Sequence, residues 1–380
     1  MTHIDCNIAF LLKGAYNTEF ITEPQSDLNS DEVLVQVVKT GICGSDIHFY
    51  TDGRLGENVV TEPIILGHES SGIVSQVGTG VKDVKLGDRV AIEPWATCRK
   101  CQLCKTGKYH MCACCTVFTR PRRGTLARYY KIPSDFTHKL PNHLTFEDGA
   151  MMEPLAVAVH ALTSVTDFRA GQNITVFGCG PVGLLCMAVA RALGASRVIG
   201  IDINQSRLDF AKKYAATDVY LVPQPGPDSL VNGNMTNRSK STVSNMMTVL
   251  GVEERGTTAM DFVIDATGAE SCIQMAVLLV KYGGTFIQLG FGEEIKLPIL
   301  TIMTKELKLK GSNRYGPGDY SLAISLVASG KVDVKPLITH RFSFEDARLA
   351  FDTTKAGKSA DDRTVIKTII TGPGINSSVQ

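Results

Sequence analysis

Four cysteines fall in one short stretch with the spacing Cys98-x2-Cys101-x2-Cys104-x7-Cys112. Four thiolates match the tetrahedral preference of zinc, and a shell closed by sulfur leaves no open position for chemistry, so the expected ion is structural. Cys114 and Cys115 lie close enough to compete for the fourth place, and spacing does not separate them from Cys112. A second group is dispersed: Cys43 in GICGSDIHFY, His68 and Glu69 in ILGHESSGIV, and Glu153 in MMEPLAVAVHAL. A thiol, an imidazole and carboxylates are the donors of a catalytic metal site. Taken singly, each also has a plain use: a cysteine after glycine fills small core spaces, and a His-Glu pair makes a polar turn. Spacing alone does not gather them.

A third constellation is contiguous. Gly178-Cys179-Gly180-Pro181-Val182-Gly183 follows the strand-like run NITVF and opens a helix-like one. In such a turn the first glycine permits the tight bend, the second lets backbone approach a pyrophosphate, and the third lets helix lie close to strand; the helix N-terminus then offers oriented N–H groups. Asp202 ends the next strand, about twenty residues on, where a carboxylate accepts hydrogen bonds from the adenosine ribose hydroxyls. That carboxylate repels a 2′-phosphate, and Ile203 and Asn204 bring no cation to accept one, which favours NAD over NADP. Arg207, at the start of the following helix, is placed to cover the adenine side.

These groups need elements to hold them. The chain has 380 residues, 44% hydrophobic and 20% charged, with a net charge of +1, which suits two globular domains and no polyanionic partner such as nucleic acid. To about Leu155 it is rich in short β-type runs (EVLVQVV, SSGIVSQVG, DRVAIEP) broken by glycine and proline. From Gln172 strand-like and helix-like runs alternate, the signature of a parallel, doubly wound α/β sheet. The polar interruption PQPGPDSLVNGNMTNRSKSTVSN reads as a surface insertion, mobile or carrying a short helix at STVSNMMTVLG. From about Pro298 the pattern turns mixed and ends in TVIKTIIT, a β-branched strand expected to pack back on the first domain. Neither a leader nor a membrane span is expected, so the Asn-x-Ser/Thr matches at Asn173, Asn234, Asn237 and Asn376 read as chance, and the eleven cysteines as free thiols and metal ligands.

GICGSDIHFY, ILGHESSGIV, LGDRVAIEP, the four-cysteine loop, EDGAMMEPLAVAVHAL, GCGPVG and KGSNRYGPGDY together resemble the zinc-containing polyol dehydrogenases of the medium-chain dehydrogenase/reductase superfamily, such as the fungal xylitol, sorbitol and arabinitol enzymes. The resemblance covers nearly the whole chain. It implies a β-rich GroES-like catalytic domain of residues 1–155 and 298–380, a Rossmann NAD-binding domain of residues 156–297, and two zinc ions per subunit in a cytoplasmic homotetramer. It implies that Cys43, His68 and Glu69 ligate a catalytic zinc whose shell water or substrate completes, that Glu153 holds or exchanges with that water, and that Cys98, Cys101, Cys104 and Cys112 hold a structural zinc. Ser45 and His48 are implied as the proton route. Leu289 and Ser312 fall along the nicotinamide side, and Arg314 and Tyr315 where polyol and cofactor meet. The implied reaction is NAD+-dependent oxidation of a secondary polyol hydroxyl to a ketone.

Two passages depart from the family. Phe49, followed by Tyr50, stands where a tyrosine is common, so a hydroxyl near the substrate is missing or displaced by one position. Thr119, at a substrate-lining position, begins Thr119-Arg120-Pro121-Arg122-Arg123-Gly124, where three arginines suit either an anionic polyol or, the favoured reading, a solvated turn. Trp95, the only tryptophan, reads as packing. The rival readings are a zinc dehydrogenase for threonine or a simple secondary alcohol, and a catalytically silent NAD- and zinc-binding protein.

Overall fold

A computed structural model of the chain describes residues 6–25, 27–115, 123–224, 235–292 and 294–376. Thr119, Arg120 and Arg122 lie outside the described residues. The chain divides into two compact units, Met1–Ala156 with Gly316–Gln380, and Val157–Tyr315.

The first unit is built on strand Glu32–Gly41, whose run EVLVQVVKTG is buried at every position except Glu32 and Gln36. β-Branched residues suit a pleated surface covered on both faces. The strand lies inside a seven-stranded sheet ordered Thr137–Lys139, Arg89–Ile92, Glu69–Val77, Glu32–Gly41, Lys367–Thr371, Ile338–Phe342, with Tyr129–Pro133 also paired to the central strand. Pairing is antiparallel except between the last two strands of that order. Register sets Gly41 opposite both Glu69 and Ile369, so the ends of three strands from distant parts of the sequence meet at one point. One hydrophobic cluster gathers Phe10, Leu12, Ile42, Phe49, Tyr50, Leu66 and Phe351; another gathers Val33, Val35, Val37, Val74, Val90 and Ile132.

The second unit is a six-stranded, wholly parallel sheet ordered Asp218–Leu221, Arg197–Asp202, Asn173–Phe177, Met260–Asp265, Val280–Gln288, Lys308–Gly311. Chain order runs outward in both directions from Asn173–Phe177, the doubly wound arrangement in which ligands bind beyond the strand ends where the order reverses. The glycine turn follows that first strand. Gly178 has φ +94°, a conformation open to glycine. A Cβ on Gly183 would collide with the Gly178 carbonyl oxygen, whereas one on Gly180 would meet nothing within 4 Å.

Two boundaries differ from the sequence reading. Residues 298–315 stay with the second unit, because Lys308–Gly311 pairs with Val280–Gln288 and closes the sheet edge; the return to the first unit comes at Gly316 rather than Pro298. The helix expected within the polar insertion runs Met235–Leu250 and begins well before Ser241. It buries Ser239, Val243 and Met246, one face at helical spacing, and Ser239 donates to Gln274 Oε1 at 3.1 Å. Residues 225–234 of that insertion lie outside the described residues.

The glycine turn separates two kinds of glycine by experiment. Gly183→Ala is expected to lower the thermal unfolding midpoint by several degrees, since either helix or strand must shift. Gly180→Ala, at φ −77° with open space beside it, is expected to leave the midpoint within about 2 °C. Equal midpoints for the two variants in a thermal melt would contradict this packing.

Candidate active site and metal centres

The four-cysteine lobe is assembled by the chain's own local turns. Helix Gln102–Lys105 carries Cys104, and a single turn of 3-10 helix, Tyr109–Met111, delivers Cys112. The sulfurs of Cys98 and Cys112 lie 3.5 Å apart, Cys101 and Cys104 3.5 Å, Cys101 and Cys112 3.8 Å, and Cys98 and Cys104 3.9 Å. Four sulfurs each about 2.3 Å from one zinc stand about 3.8 Å apart at tetrahedral angles, so this donor set fits the ion in both chemistry and spacing. Among the alternatives left open by spacing, Cys112 joins the other three, Cys114 is exposed and Cys115 is buried. Backbone amides of Lys100 and Cys101 point at Cys98 and draw its thiol down to about 6. A buried carboxylate anchors the lobe: Glu93 accepts from the Tyr109 hydroxyl at 2.6 Å and pairs with His138 Nε2 at 2.8 Å.

The dispersed group comes together at the sheet end where Gly41 faces Glu69. Ligand atoms of Cys43, His68 and Glu69 lie within 4.8 Å of one another, a set able to hold a metal ion. Cys43 is the N-cap of helix Gly44–Asp52, and His68 and Glu69 lead into strand Glu69–Val77. A Cβ on Gly41 would strike Glu69 Oε2 and crowd Lys367, so only glycine leaves room for this approach. Apart from its ion pair with Lys367 Nζ, Glu69 Oε2 has no hydrogen-bond partner among the described residues. The fit to a cation rests on the convergence of the three donors, thiol, imidazole and carboxylate.

Asp46 and Lys367 are site residues that the sequence reading missed. Asp46 is 4% exposed. Its Oδ2 accepts from the Cys43 amide and its Oδ1 from the Gly67 amide, each at 3.3 Å, and Oδ1 also lies 3.3 Å from His68 Nδ1. Burial works to raise its pKa, but the His68 charge and these hydrogen bonds bring it below the ordinary carboxylate value. Burial likewise depresses His68, while Asp46 and Cys43 lift it well above the usual imidazole value. The capping-box spacing Cys43-x-x-Asp46 was the available signal for Asp46. Lys367, 2% exposed, donates to the Ile42 carbonyl at 3.0 Å; burial lowers its pKa, and Glu69 and Cys43 more than restore it.

Glu153, on helix Met152–Thr163, is 5% exposed. Burial pushes its carboxyl up to about 7, opposed by His68, reinforced by Glu69, and opposed again by Lys367 and Trp95. The indole Nε1 of Trp95 donates to Glu153 Oε1 at 3.4 Å, and its ring stands 6.4 Å from that of His68. Ser45 is half-buried; His48 is 55% exposed and hydrogen-bonds Asp52 Oδ2 at 3.1 Å through Nδ1. No hydrogen bond joins Ser45 to His48 among the described residues. Phe49 sits in a core cluster, and the Tyr50 hydroxyl donates to Asp352 at 2.8 Å, so the neighbouring tyrosine is already engaged. Arg123 pairs with Glu23.

In the second unit, Asp202 accepts from the Cys179 amide at 2.8 Å and from the Asn204 amide at 2.9 Å, tying the strand end to the glycine turn. Asn204 caps the next helix by accepting from the Arg207 amide. Pro181 and Val182 open helix Pro181–Ala192, with Gly180 as its N-cap. The amides of Leu289 and Ser312 donate to Asp265 and Gln288, fixing the ends of adjacent strands. Arg314 has φ +61°, and Tyr315 is buried.

Residues 29–142 match the family model described as the alcohol dehydrogenase GroES-like domain, and residues 181–329 the one described as zinc-binding dehydrogenase. Probable D-xylulose reductase A of Aspergillus clavatus is 47% identical over 369 residues, covering 96% of this chain and 97% of that one. D-xylulose reductase A of Aspergillus niger is 46% identical with the same coverage. Among solved structures, galactitol-1-phosphate dehydrogenase of Escherichia coli superposes with a TM-score of 0.79 at 26% identity, over 96% of this chain and 99% of that one. With both parts matched and such relatives aligned from end to end, the chain belongs to the zinc-dependent polyol dehydrogenases of the medium-chain dehydrogenase/reductase superfamily.

Proposed function

We propose that the chain oxidises a secondary hydroxyl of an acyclic polyol to the ketose, with NAD+ as hydride acceptor and zinc held by Cys43, His68 and Glu69. The observation that carries this reading is the convergence of a thiol, an imidazole and a carboxylate within 4.8 Å, with Glu153 close enough to feel their charges. Three protein ligands leave a fourth tetrahedral position for water or substrate, unlike the closed set Cys98, Cys101, Cys104 and Cys112. Zinc bound there would supply Lewis acidity, which brings an alcohol proton within reach of a base at neutral pH.

The chain's own residues then have separable tasks. Asp46 takes the Nδ1 side of His68 and leaves Nε2 for the metal, the usual means of fixing ring orientation in a histidine ligand. Lys367 balances the buried charge of Glu69. Glu153, with a carboxyl poised near neutrality, is suited to hold the substrate proton as it departs. Ser45 and His48 are proposed as the route outward, and the exposure of His48 with Asp52 against it fits the outer end.

For the cofactor, we assign the pyrophosphate to Gly178, Gly180, Pro181, Val182 and Gly183, the ribose to Asp202, the adenine side to Arg207, and the nicotinamide side to Leu289, Ser312 and Arg314. The open space at Gly180 and the lack of a cation at Ile203 and Asn204 support NAD. The first unit is thus the catalytic domain and the second the cofactor domain. Of the substrate positions, Glu153, Arg314 and Tyr315 carry more weight than Phe49, which is core, and Thr119 falls outside the described residues. D-xylulose reductases act on a ketopentose whose reduction gives a pentitol, so xylitol is the substrate to try first. A free rather than phosphorylated polyol is favoured because Arg123 is already paired with Glu23. We place the enzyme in the cytoplasm as a homotetramer; no described helix is long and apolar enough to cross a membrane, and Ile299, Leu300 and Met303 form an exposed apolar face suited to a subunit contact.

Two measurements test this reading. Purified protein supplied with NAD+ should form NADH from xylitol, sorbitol, arabinitol or galactitol and lose that activity when the catalytic zinc is removed. Turnover confined to threonine or ethanol would replace the polyol reading, and no turnover of any of these with zinc and NAD bound would restore the silent-protein reading. Asp46→Asn should weaken zinc at the Cys43 site by about 10- to 100-fold in chelator competition while the four-cysteine ion is retained; unchanged retention at both sites would remove Asp46 from this role.

A further inference from the structure

A closed set of four sulfurs takes no substrate, yet the lobe that carries it is fastened to a segment far along the chain. Tyr109, in the lobe's turn of 3-10 helix, donates its hydroxyl to Glu93 at 2.6 Å, and Glu93 also pairs with His138 Nε2. The His138 ring lies flat on that of Tyr320, with centroids 4.6 Å apart and planes at 16°, and the Tyr320 hydroxyl donates to the Ile92 carbonyl at 2.9 Å. Tyr320 is thus held on its face and at its tip, and both holds lead to the end of strand Arg89–Ile92, where the lobe is tied as well. Two further approaches join lobe and segment. A Cβ on Gly107, between Cys104 and Cys112, would stand 3.7 Å from the Pro317 side chain. Buried Asp319 lies near enough to Tyr109 to help keep its hydroxyl protonated, and so a donor, after the larger effects of burial and of Glu93. Asp319 also accepts from the Gly316 amide at 2.6 Å, and its own amide donates to the Gly316 carbonyl, which closes a turn. The chain enters that turn directly from Arg314 and Tyr315.

We infer that the four-cysteine lobe positions the pair that meets the polyol: through Tyr109, Glu93 and His138 it holds Tyr320 and the turn of residues 316–319, and so fixes how the chain presents Arg314 and Tyr315. This rests on the reading of those two residues as substrate contacts. Arg314 has φ +61°, a left-handed conformation that a residue other than glycine keeps only where its neighbours hold it. A buried polar network with every member partnered has one good arrangement, and a shift at one member reaches the next. The lobe's zinc then has two tasks, closing local turns and setting the geometry of a distant segment.

Hydrogen exchange on the zinc-loaded protein reads this contact without any reaction. Glu93→Leu should speed exchange of the bonded amides of Gly316, Asp319 and Leu322 about tenfold, and leave the bonded amide of Val74 at its wild-type rate. Glu93→Gln keeps an acceptor for Tyr109 and a partner for His138, and should stay near wild type. Tyr109→Phe removes one hydroxyl and nothing else, so it serves if Glu93→Leu does not fold; the rise there should be about threefold. Cys112→Ser opens the sulfur set, and once metal analysis shows that ion lost, the same three amides should exchange faster. On the polyol that wild type turns over best, Glu93→Leu should raise KM about tenfold with kcat within about twofold, whereas a mere loss of active protein lowers kcat and leaves KM alone. Unchanged exchange at residues 316–322 in Tyr109→Phe and Glu93→Leu, or in Cys112→Ser without its ion, would overturn the inference. Faster exchange with polyol KM unmoved would also overturn it, since the hold would then stop short of Arg314 and Tyr315. Failure of wild type to turn over any polyol would count against the proposed function, while the exchange arm would still decide the contact.

Discussion

Burying a carboxylate as deeply as Glu69, 1% exposed, without compensating charge is among the largest penalties a fold can carry. Lys367 supplies part of that compensation, and the structure around it is arranged to make the pair possible. The strand bearing Lys367 comes from the end of the chain and pairs beside Glu32–Gly41, and the residue that separates Lys367 from Glu69 is a glycine. Removing one member of such a pair costs about 3–5 kcal/mol, so Gly41, Glu69 and Lys367 are constrained together. The same cluster carries a thiol, an imidazole, a second carboxylate in Glu153 and a third in Asp46. A divalent cation held by Cys43, His68 and Glu69 would add to the positive charge that Lys367 already supplies.

Division of labour follows from where each set of groups lies. The four-cysteine lobe is local in sequence, made by short turns and anchored to the sheet by Glu93. The Cys43, His68 and Glu69 cluster is non-local, made by strand register. A closed sulfur set can stabilise a loop, whereas a three-ligand set leaves a fourth position open. The second unit adds an open helix N-terminus after its first strand, tied to Asp202 through the Cys179 amide. The carboxylate thereby fixes the turn it is expected to share with a ribose.

What the sequence disclosed tracks this difference between local and non-local. The cysteine lobe, the glycine turn and the alternation of the doubly wound sheet are contiguous patterns, and they were legible as such. The Cys43, His68 and Glu69 cluster is gathered only by likeness to a family, since no spacing rule brings Cys43, His68 and Glu153 together. Lys367 was hidden in TVIKTIIT, where a lysine within a β-branched strand looks like an ordinary edge residue. Lys308–Gly311 was missed for the opposite reason: its lysines look like loop, but an edge strand tolerates them. The helix Met235–Leu250 was shortened because its buried face includes Ser239, which only a partner such as Gln274 makes acceptable.

On the proposed function, the Cys43 cluster and not the four-cysteine lobe holds the metal on which turnover depends. Metal analysis and NAD+-dependent xylitol oxidation on the same preparation of Cys43→Ser would test it most directly. Zinc should fall from two to one per chain and oxidation should be lost, while the protein still unfolds in one cooperative transition. Full activity in a variant retaining only the four-cysteine zinc would contradict it.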